Sequence, residues 1–285
     1  MYWATRAYIV AMNFMKSRSP LRNIVAATFG AILAFAGTAY AGGANLFLSE
    51  QFGNQVLRFN DAGVGSVFVS VHNPQGLAFD AAGNLYVADF EDSIVFQVSR
   101  NGRMRRFVSG GAIGNPSALA FDSAGNLYVG HSAHPPAPGI IKVAPDGTKS
   151  SFATQLEPNG LAFDSDGNLF ATENRTNVIL KFAPDGTRTT FATGFSRPED
   201  LAFDSEGNLF VSDILAGIVY KIAPDGTKST FAVGLAGPLG LAIDEEDNLF
   251  VADYSASTIF QFAPDGTQST FASGLNTPFD LVFPP

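Results

Sequence analysis

The chain has 285 residues, of which 46% are hydrophobic, and it carries a formal net charge of −9. It contains no cysteine, which excludes disulfides, thiol chemistry, thiolate metal sites and a lipid anchor on cysteine. Four of the 17 basic residues lie in the first 41 positions, so the remainder holds 13 Lys and Arg against 26 Asp and Glu. Such an acidic surface repels phosphate backbones, and nucleic acid is therefore not an expected partner.

The first 41 residues have the three parts of a secretory signal peptide. A basic segment at 15–22 precedes an apolar run of 14 residues at 24–37, and the small residues Ala39 and Ala41 form a cleavage site. A membrane anchor is the alternative, but 14 residues are too few to cross a bilayer. We predict a signal peptide over 1–41, with Met15 as a second candidate start. The mature part, 42–285, is then a single secreted or periplasmic domain.

A phrase of about forty residues recurs from position 74 onward. It opens with proline, continues through Asp-x-x-Gly-Asn-Leu and closes on Pro-Asp-Gly-Thr, and the copy that opens at Pro198 is the most complete. The opening prolines are spaced 42, 42, 40, 40 and 40 residues apart, at Pro74, Pro116, Pro158, Pro198, Pro238 and Pro278. A fixed period of this length indicates a repeat architecture.

Each repeat holds four short segments typical of β-strands, which we label a to d. In the most complete copy they lie at 201–204, 208–213, 218–222 and 229–232, each apolar or β-branched and bounded by turn residues. Four strands in about forty residues are typical of a propeller blade. We therefore predict an all-β fold, a six-bladed β-propeller with four antiparallel strands per blade.

Both ends of the repeat region are needed to complete the sixth blade. The N-terminal part supplies strands b, c and d at 45–50, 55–59 and 66–70, whereas the C-terminal part supplies strand a at 278–283. Pairing them closes the ring and removes exposed sheet edges. Strands a and d also carry a recurring aromatic residue, usually phenylalanine, which we predict to pack between neighbouring blades.

At the phrases PEDLAFDSEGNLFVSD (198–213) and PNGLAFDSDGNLFATE (158–173), the sequence resembles NHL-repeat propellers and the overlapping SMP-30–gluconolactonase-like superfamily. The resemblance extends over 44–283 and implies a six-bladed propeller. NHL-type propellers are often recognition modules. The gluconolactonase branch holds a divalent metal over the central channel and hydrolyses sugar lactones.

The resemblance also implies where a metal would bind. In that branch the ligands lie just before strand a, and the corresponding positions here are Gln75, Ser117, Asn159, Glu199, Leu239 and Phe279. Asn159 matches the family's asparagine, and Glu199 stands where the family usually has aspartate. Ser117 and Phe279 depart from the pattern, which has a second asparagine and a glutamate there. Asn159 and Glu199 are thus the candidate ligands for Ca²⁺ or another divalent metal, although two residues are few for a hard cation.

Strand direction places the d–a and b–c loops at one end of the propeller, which we call the top, and almost all length variation between repeats falls there. Function tends to lie in variable loops on a rigid scaffold. The predicted ligand-binding residues of this top face are Asn159, Glu199, Asp200, His131, Glu173 and Asp213. The last two end strand b, where an acid recurs in five of six blades. The alternative is that each such acid caps its own b–c loop through backbone N–H groups.

Three histidines raise the question of zinc. His131 and His134 share the long loop at 131–139, and His72, which precedes strand a of another blade, is the candidate third histidine ligand. A catalytic zinc site needs three protein ligands and a closed structural one needs four. The alternative is a proline-rich loop that carries two solvated histidines.

Two functions follow from the sequence. The first is a secreted recognition scaffold that binds a small molecule, a glycan or a protein at the top face. The second is a metal-dependent hydrolase of lactones or esters that uses Ca²⁺ or Zn²⁺. A lyase with His131 as its base is a further alternative. We expect a monomer that does not insert into membranes after signal cleavage.

Overall fold

The computed structural model describes residues 45–110, 113–132 and 137–285. The predicted signal peptide at 1–41 and the candidate start at Met15 lie outside these residues, as does His134. Within the described part of the chain every regular element is a β-strand, and no helix there has the length and apolarity to cross a membrane.

The strands form six four-stranded antiparallel sheets, and five of these sheets consist of four strands that are consecutive in the chain. The innermost strands, a, are β4 (Pro74–Phe79), β8 (Pro116–Phe121), β12 (Leu161–Phe163), β16 (Pro198–Phe203), β20 (Pro238–Ile243) and β24 (Pro278–Val282). Strands b are β1 (Leu46–Glu50), β5 (Leu85–Asp89), β9 (Leu127–His131), β13 (Leu169–Glu173), β17 (Leu209–Asp213) and β21 (Leu249–Asp253).

The two outer positions of each sheet complete the blades. Strands c are β2 (Gln55–Phe59), β6 (Ile94–Val98), β10 (Gly139–Val143), β14 (Val178–Phe182), β18 (Ile218–Ile222) and β22 (Thr258–Phe262). Strands d are β3 (Gly65–Ser70), β7 (Met104–Ser109), β11 (Lys149–Thr154), β15 (Arg188–Ala192), β19 (Lys228–Val233) and β23 (Gln268–Ser273). The predicted six-bladed propeller with four strands per blade is confirmed.

The ring is closed by strands from the two ends of the described chain. Strand β24 pairs with β1, with Phe47 opposite Val282 and Leu48 opposite Leu281, in a sheet of order β24-β1-β2-β3. The innermost strands also contact one another in sequence around the axis, from β4 through β8 to β24 and back to β4. Strand a of the closing blade is thus paired like that of the other five blades, and the closure predicted from the sequence is confirmed.

The hydrophobic core lies between blades. Phe170 of β13 packs edge-on against Phe191 of its own blade and Phe203 of the next, with ring centroids 4.9 and 5.1 Å apart. Other clusters likewise join two blades, as where Phe210 of β17 packs with Leu241 of β20. Edge-to-face pairs contribute about 0.5–1.5 kcal/mol each beyond their buried area. The prediction that the recurring aromatic residues pack between blades is confirmed.

Turn chemistry fixes the blades at the end opposite the top. In the a–b turn at 164–168, one carboxylate oxygen of Asp164 accepts the backbone N–H groups of Asp166 (3.1 Å) and Asn168 (2.8 Å), while Gly167 has φ of 80°. That conformation favours glycine because it has no Cβ. These turns hold strands a and b in register, so the variable top loops extend from a rigid frame.

A bulge at the top of the innermost strands positions the candidate site. The register between β16 and β17 shifts between Pro198 and Leu201, and the same shift recurs between Pro238 and Leu241 in the next blade. The intervening residues leave the ladder, so their side chains and backbone N–H groups become available to neighbouring blades. Glu199 and Asp200 are two of these residues.

Candidate functional site

The central channel contains a cavity of about 300 Å³. Each of the six innermost strands contributes one leucine to its wall: the residues are Leu77, Leu119, Leu161, Leu201, Leu241 and Leu281. Phe79 and Phe283 line it at the lower end, where strands a finish. Toward the top, polar groups of Asn159, Asp200 and Asp280 replace the apolar wall. The volume is at the lower end of the range for small-molecule pockets.

Above these polar groups the channel narrows to a space of about 10 Å³. Its wall is formed by Ser117, Asn159, Glu199, Asp200, Leu239, Gly240, Phe279 and Asp280. The structure therefore brings Asn159, Glu199 and Asp200 together at one point of the channel, as the sequence predicts. Glycines permit the close approach of the strands, since a Cβ on Gly160 would lie 2.7 Å from the carbonyl oxygen of Glu199.

Glu199 is buried, with 4% of its surface exposed, and both of its carboxylate oxygens are engaged. The Nδ2 amide of Asn159 donates to Oε2 at 2.7 Å. The Nε of Arg197 lies 2.6 Å from Oε1 and forms an ion pair with it. Burial raises the pKa of the Glu199 carboxyl, and the charge of Arg197 and the Asn159 amide partly offset this effect.

Asp200 and Asp280 form a second feature of the channel. Oδ2 of Asp200 accepts the backbone N–H of Leu241 (2.8 Å), and Oδ2 of Asp280 accepts that of Leu77 (2.7 Å), so each carboxylate ties its strand to the next blade. Both side chains are half-buried and open into the channel cavity. Burial raises the pKa of Asp200 to about 7. It also raises the pKa of Asp280 well above its ordinary value, and repulsion from Asp200 adds to this.

The donors at the channel mouth do not fit the metal site that the SMP-30 resemblance implies. Asn159 and Glu199 are hydrogen-bonded to each other, the Ser117 hydroxyl donates to the Pro158 carbonyl at 2.9 Å, and Phe279 has no donor atom. Glu199, Asp200 and Asp280 do not bring three ligand atoms within 4.8 Å of one another. A hard cation needs several converging oxygens. The channel mouth is therefore not arranged as a metal site in this structure, and the assignment of Asn159 and Glu199 as metal ligands stays a prediction.

Glu173 and Asp213 are buried where strands β13 and β17 end, and neither lines the channel cavity or its narrow mouth. Asp213 accepts three backbone N–H groups, from Ser196 (2.7 Å), Arg197 (3.0 Å) and Ala216 (3.2 Å). Glu173 accepts those of Glu157, Arg175 and Thr176. The two acids thus join the d–a loop to the b–c loop of one blade, which is the capping arrangement that the sequence left as the alternative.

His131 lies at the end of β9. It is buried, borders a separate cavity of about 280 Å³ beside β10 and β11, and does not line the channel. Burial lowers the pKa of its imidazole, and its Nδ1 has no hydrogen-bond partner. The structure does not bring His131 together with the channel residues.

Two residues of this site were not selected from the sequence. Asp280 occupies the same position of the repeat as Asp200, two residues after the opening proline, where the other four copies have Gly or Ala. A comparison of the repeats with one another could therefore have selected Asp280 from the sequence. Arg197 carries no such signal, because its contact with Glu199 depends on the bulge that follows Pro198.

The match of residues 43–278 to the profile of the virginiamycin B lyase family decides the relationship. The chain belongs to this family. A search of curated proteins found no match. Among solved structures, the chain is similar to the propeller in a nidogen–laminin complex, with a TM-score of 0.76 and 20% identity over 85% of this chain and 98% of that one.

Two enzymes share the propeller fold with this family member. A gluconolactonase from Xanthomonas campestris has a TM-score of 0.68 and 20% identity over 73% of this chain and 79% of its own. Virginiamycin B lyase from Staphylococcus aureus has a TM-score of 0.61 and 18% identity over 73% of each chain. At such identities the likeness shows the fold alone. The NHL and SMP-30-like resemblance read from the sequence is confirmed.

Proposed function

We propose that this member of the virginiamycin B lyase family is a secreted or periplasmic binding propeller that recognises a ligand at the top of its channel. The observation that supports this function is the state of Glu199. It is the one carboxylate among the six metal-ligand positions, and Arg197 and Asn159 already occupy its two oxygens. The mouth therefore presents a neutralised, hydrogen-bonding rim and not an open set of metal ligands.

The chemistry of the rim favours a small polar ligand such as a sugar. Leu239 and Phe279 add apolar surface beside the Asn159 amide, and the Arg197 side chain is half exposed. Sites for small molecules commonly combine apolar surface with a few placed polar groups. Of the partner classes that the sequence predicts, a small molecule or a glycan fits this rim.

A binding screen tests the proposal. The purified protein is applied to a glycan and metabolite array, and hits are measured by calorimetry with the wild type, Arg197→Ala and Phe279→Ala. We expect both substitutions to weaken binding at least tenfold, while Asp61→Asn in an exposed turn at the opposite end leaves it unchanged. A hit that binds all four proteins equally would place the recognition site elsewhere, and an empty array would refute the proposed ligand class.

One observation favours a second function, an enzyme that opens a lactone or ester. Asp200 has a pKa of about 7 and lines a cavity of small-molecule size. A carboxylate with such a pKa is suited to act as a general base near neutral pH. In the metal-dependent form of this hypothesis, Asn159 and Glu199 would hold Ca²⁺ or Zn²⁺.

Turnover of a panel of lactones and esters distinguishes the two functions. For the enzyme, activity should rise with pH through about 7 as Asp200 loses its proton, and it should be lost in Asp200→Asn. Activity that disappears on chelation would favour the metal-dependent form. The same panel should show no turnover if the protein only binds its ligand.

A further inference from the structure

A cluster of metal-ligating side chains lies on the top face, outside the channel. His72 comes from the d–a loop before β4, Asp89 ends β5, and Asp92 belongs to the b–c loop that follows. One ligand atom from each of these three side chains lies within 4.8 Å of the other two. Within the described part of the chain, this is the one group of three His or acidic side chains that converges so closely.

Comparison with the other blades shows that Asp89 is used differently. In three other blades the acid at this strand end accepts, at 2.7 Å, the backbone N–H of the residue two before the opening proline; the pairs are Asp213 with Ser196, Asp253 with Ala236, and Glu50 with Asn276. The corresponding residue here is His72, whose N–H makes no such bond. Asp89 accepts one hydrogen bond, from the N–H of Asp92 (2.9 Å), although only 1% of its surface is exposed. The buried carboxylate therefore retains acceptor capacity for a cation held between it, His72 and Asp92.

Further side chains support the histidine. Nδ1 of His72 lies 3.6 Å from a carboxylate oxygen of Asp92, and Nε2 lies 3.5 Å from one of Glu91. The Nδ2 amide of Asn73 in turn donates to Glu91 at 3.0 Å. Metal-bound histidines typically direct their second ring nitrogen to such a carboxylate, which fixes the ring. Glu91 thus occupies the orienting position and Asn73 anchors it.

Asn73 provides a second, independent indication of a ligand. It is 95% buried, since 5% of its surface is exposed, and its side-chain oxygen has no hydrogen-bond partner. The amide nitrogen is already held by Glu91, so the free acceptor is the side-chain oxygen of the residue that directly follows His72. Buried polar atoms are almost always paired in folded proteins, and a bound ion or water is a common explanation for an exception.

We propose that His72, Asp89 and Asp92 bind a transition-metal ion of the Zn²⁺ type, with Glu91 holding the His72 ring. A mixed imidazole and carboxylate set suits Zn²⁺, whereas Ca²⁺ prefers oxygen ligands alone. Tetrahedral Zn²⁺ places its ligand atoms about 3.3 Å apart. The ligand atoms lie within 4.8 Å of one another and must move closer to reach this spacing. The side chains of His72 and Asp92 are 52% and 57% exposed, so they are free to make this movement. Three protein ligands leave a fourth position for water or a substrate atom.

Calorimetric titration of the untagged, chelator-treated protein with ZnCl₂ tests the site. We expect one ion per chain, with binding abolished in His72→Ala and Asp92→Asn. Glu91→Gln should weaken it by roughly 10- to 100-fold, as for other residues that orient a metal ligand. Zn²⁺ should also raise the melting temperature of the wild type and not that of His72→Ala, because the ion joins two loops only in the folded state.

Matched controls separate this site from alternatives. His134→Ala removes a histidine of the long loop at 131–139, and Asp61→Asn removes an exposed acid at the other end of the propeller; both should bind Zn²⁺ like the wild type. Binding that persists in His72→Ala and Asp92→Asn, or that is lost in His134→Ala, would overturn the proposal. So would the absence of any Zn²⁺ binding, or tighter binding of Ca²⁺ by the same residues. Circular dichroism of each variant verifies that it is folded.

Discussion

Replacing Asp200 by asparagine should stabilise the protein most at and above about pH 7, less in mild acid, and hardly at all near about pH 4. The pKa of this carboxyl rises from 3.8 in a free side chain to about 7 in the folded protein. The native state therefore holds a proton between about pH 4 and pH 7 that the unfolded chain has released. Stability therefore falls across this window, and the loss is complete above about pH 7, where the native carboxyl has ionised as well.

The size of the stabilisation by Asp200→Asn follows from the same pKa. A rise from 3.8 to about 7 corresponds to about 4 kcal/mol at 1.36 kcal/mol per unit. Water in the channel cavity screens the carboxylate and Asp280 shares the repulsion, so we expect about half, roughly 2 kcal/mol. Asparagine keeps an oxygen that accepts the N–H of Leu241, so the tie between blades is retained. For a domain of this size the change corresponds to about 4–8 °C in melting temperature.

Thermal melts of wild type and Asp200→Asn at about pH 4 and about pH 8.5 measure the effect, since these pH values lie at or beyond the two ends of the window between the unfolded and the native pKa of Asp200. The difference between the two proteins should appear at the higher pH. Asp280→Asn should act in the same direction, and the double variant should gain less than the sum because each substitution relieves the other carboxylate. A difference in melting temperature that is the same at both pH values would refute the raised pKa as its cause.

Other substitutions test the contacts that shape the site. Asp213→Ala removes three backbone hydrogen bonds and should lower the stability to unfolding by about 3 kcal/mol in a denaturant titration. Asp253→Ala removes two and should cost less. Arg197→Ala leaves Glu199 buried without its cation and should lower the free energy of unfolding by about 1–2 kcal/mol. Adding Glu199→Gln to this variant should largely restore the stability, because the uncompensated charge is then removed. Gly160→Ala places a Cβ 2.7 Å from two backbone atoms of the next blade and should cost about 1–3 kcal/mol, so a melt equal to the wild type would contradict the close approach.

The amino-acid sequence by itself determined the architecture, because the forces that set it are local and repeated. An opening proline and recurring turn residues mark the blades, short apolar or β-branched segments define their strands, and the count of segments requires closure between β1 and β24. Asn159, Glu199 and Asp200 could also be selected from the sequence, since Asn159 and Glu199 follow the opening proline of neighbouring repeats directly, Asp200 is the next residue, and the propeller symmetry brings these positions to one axis.

Only the tertiary structure decided the chemical state of these groups. That Glu199 is neutralised by Arg197, that Asp200 and Asp280 repel each other across the channel, and that His72 lies beside Asp92 depend on side chains contributed by different loops and blades. Burial and distance set the pKa and the charge of such groups, and neither can be read from spacing along the chain. The repeat positions each residue at the channel or the rim, and the contacts between blades determine what it can bind there.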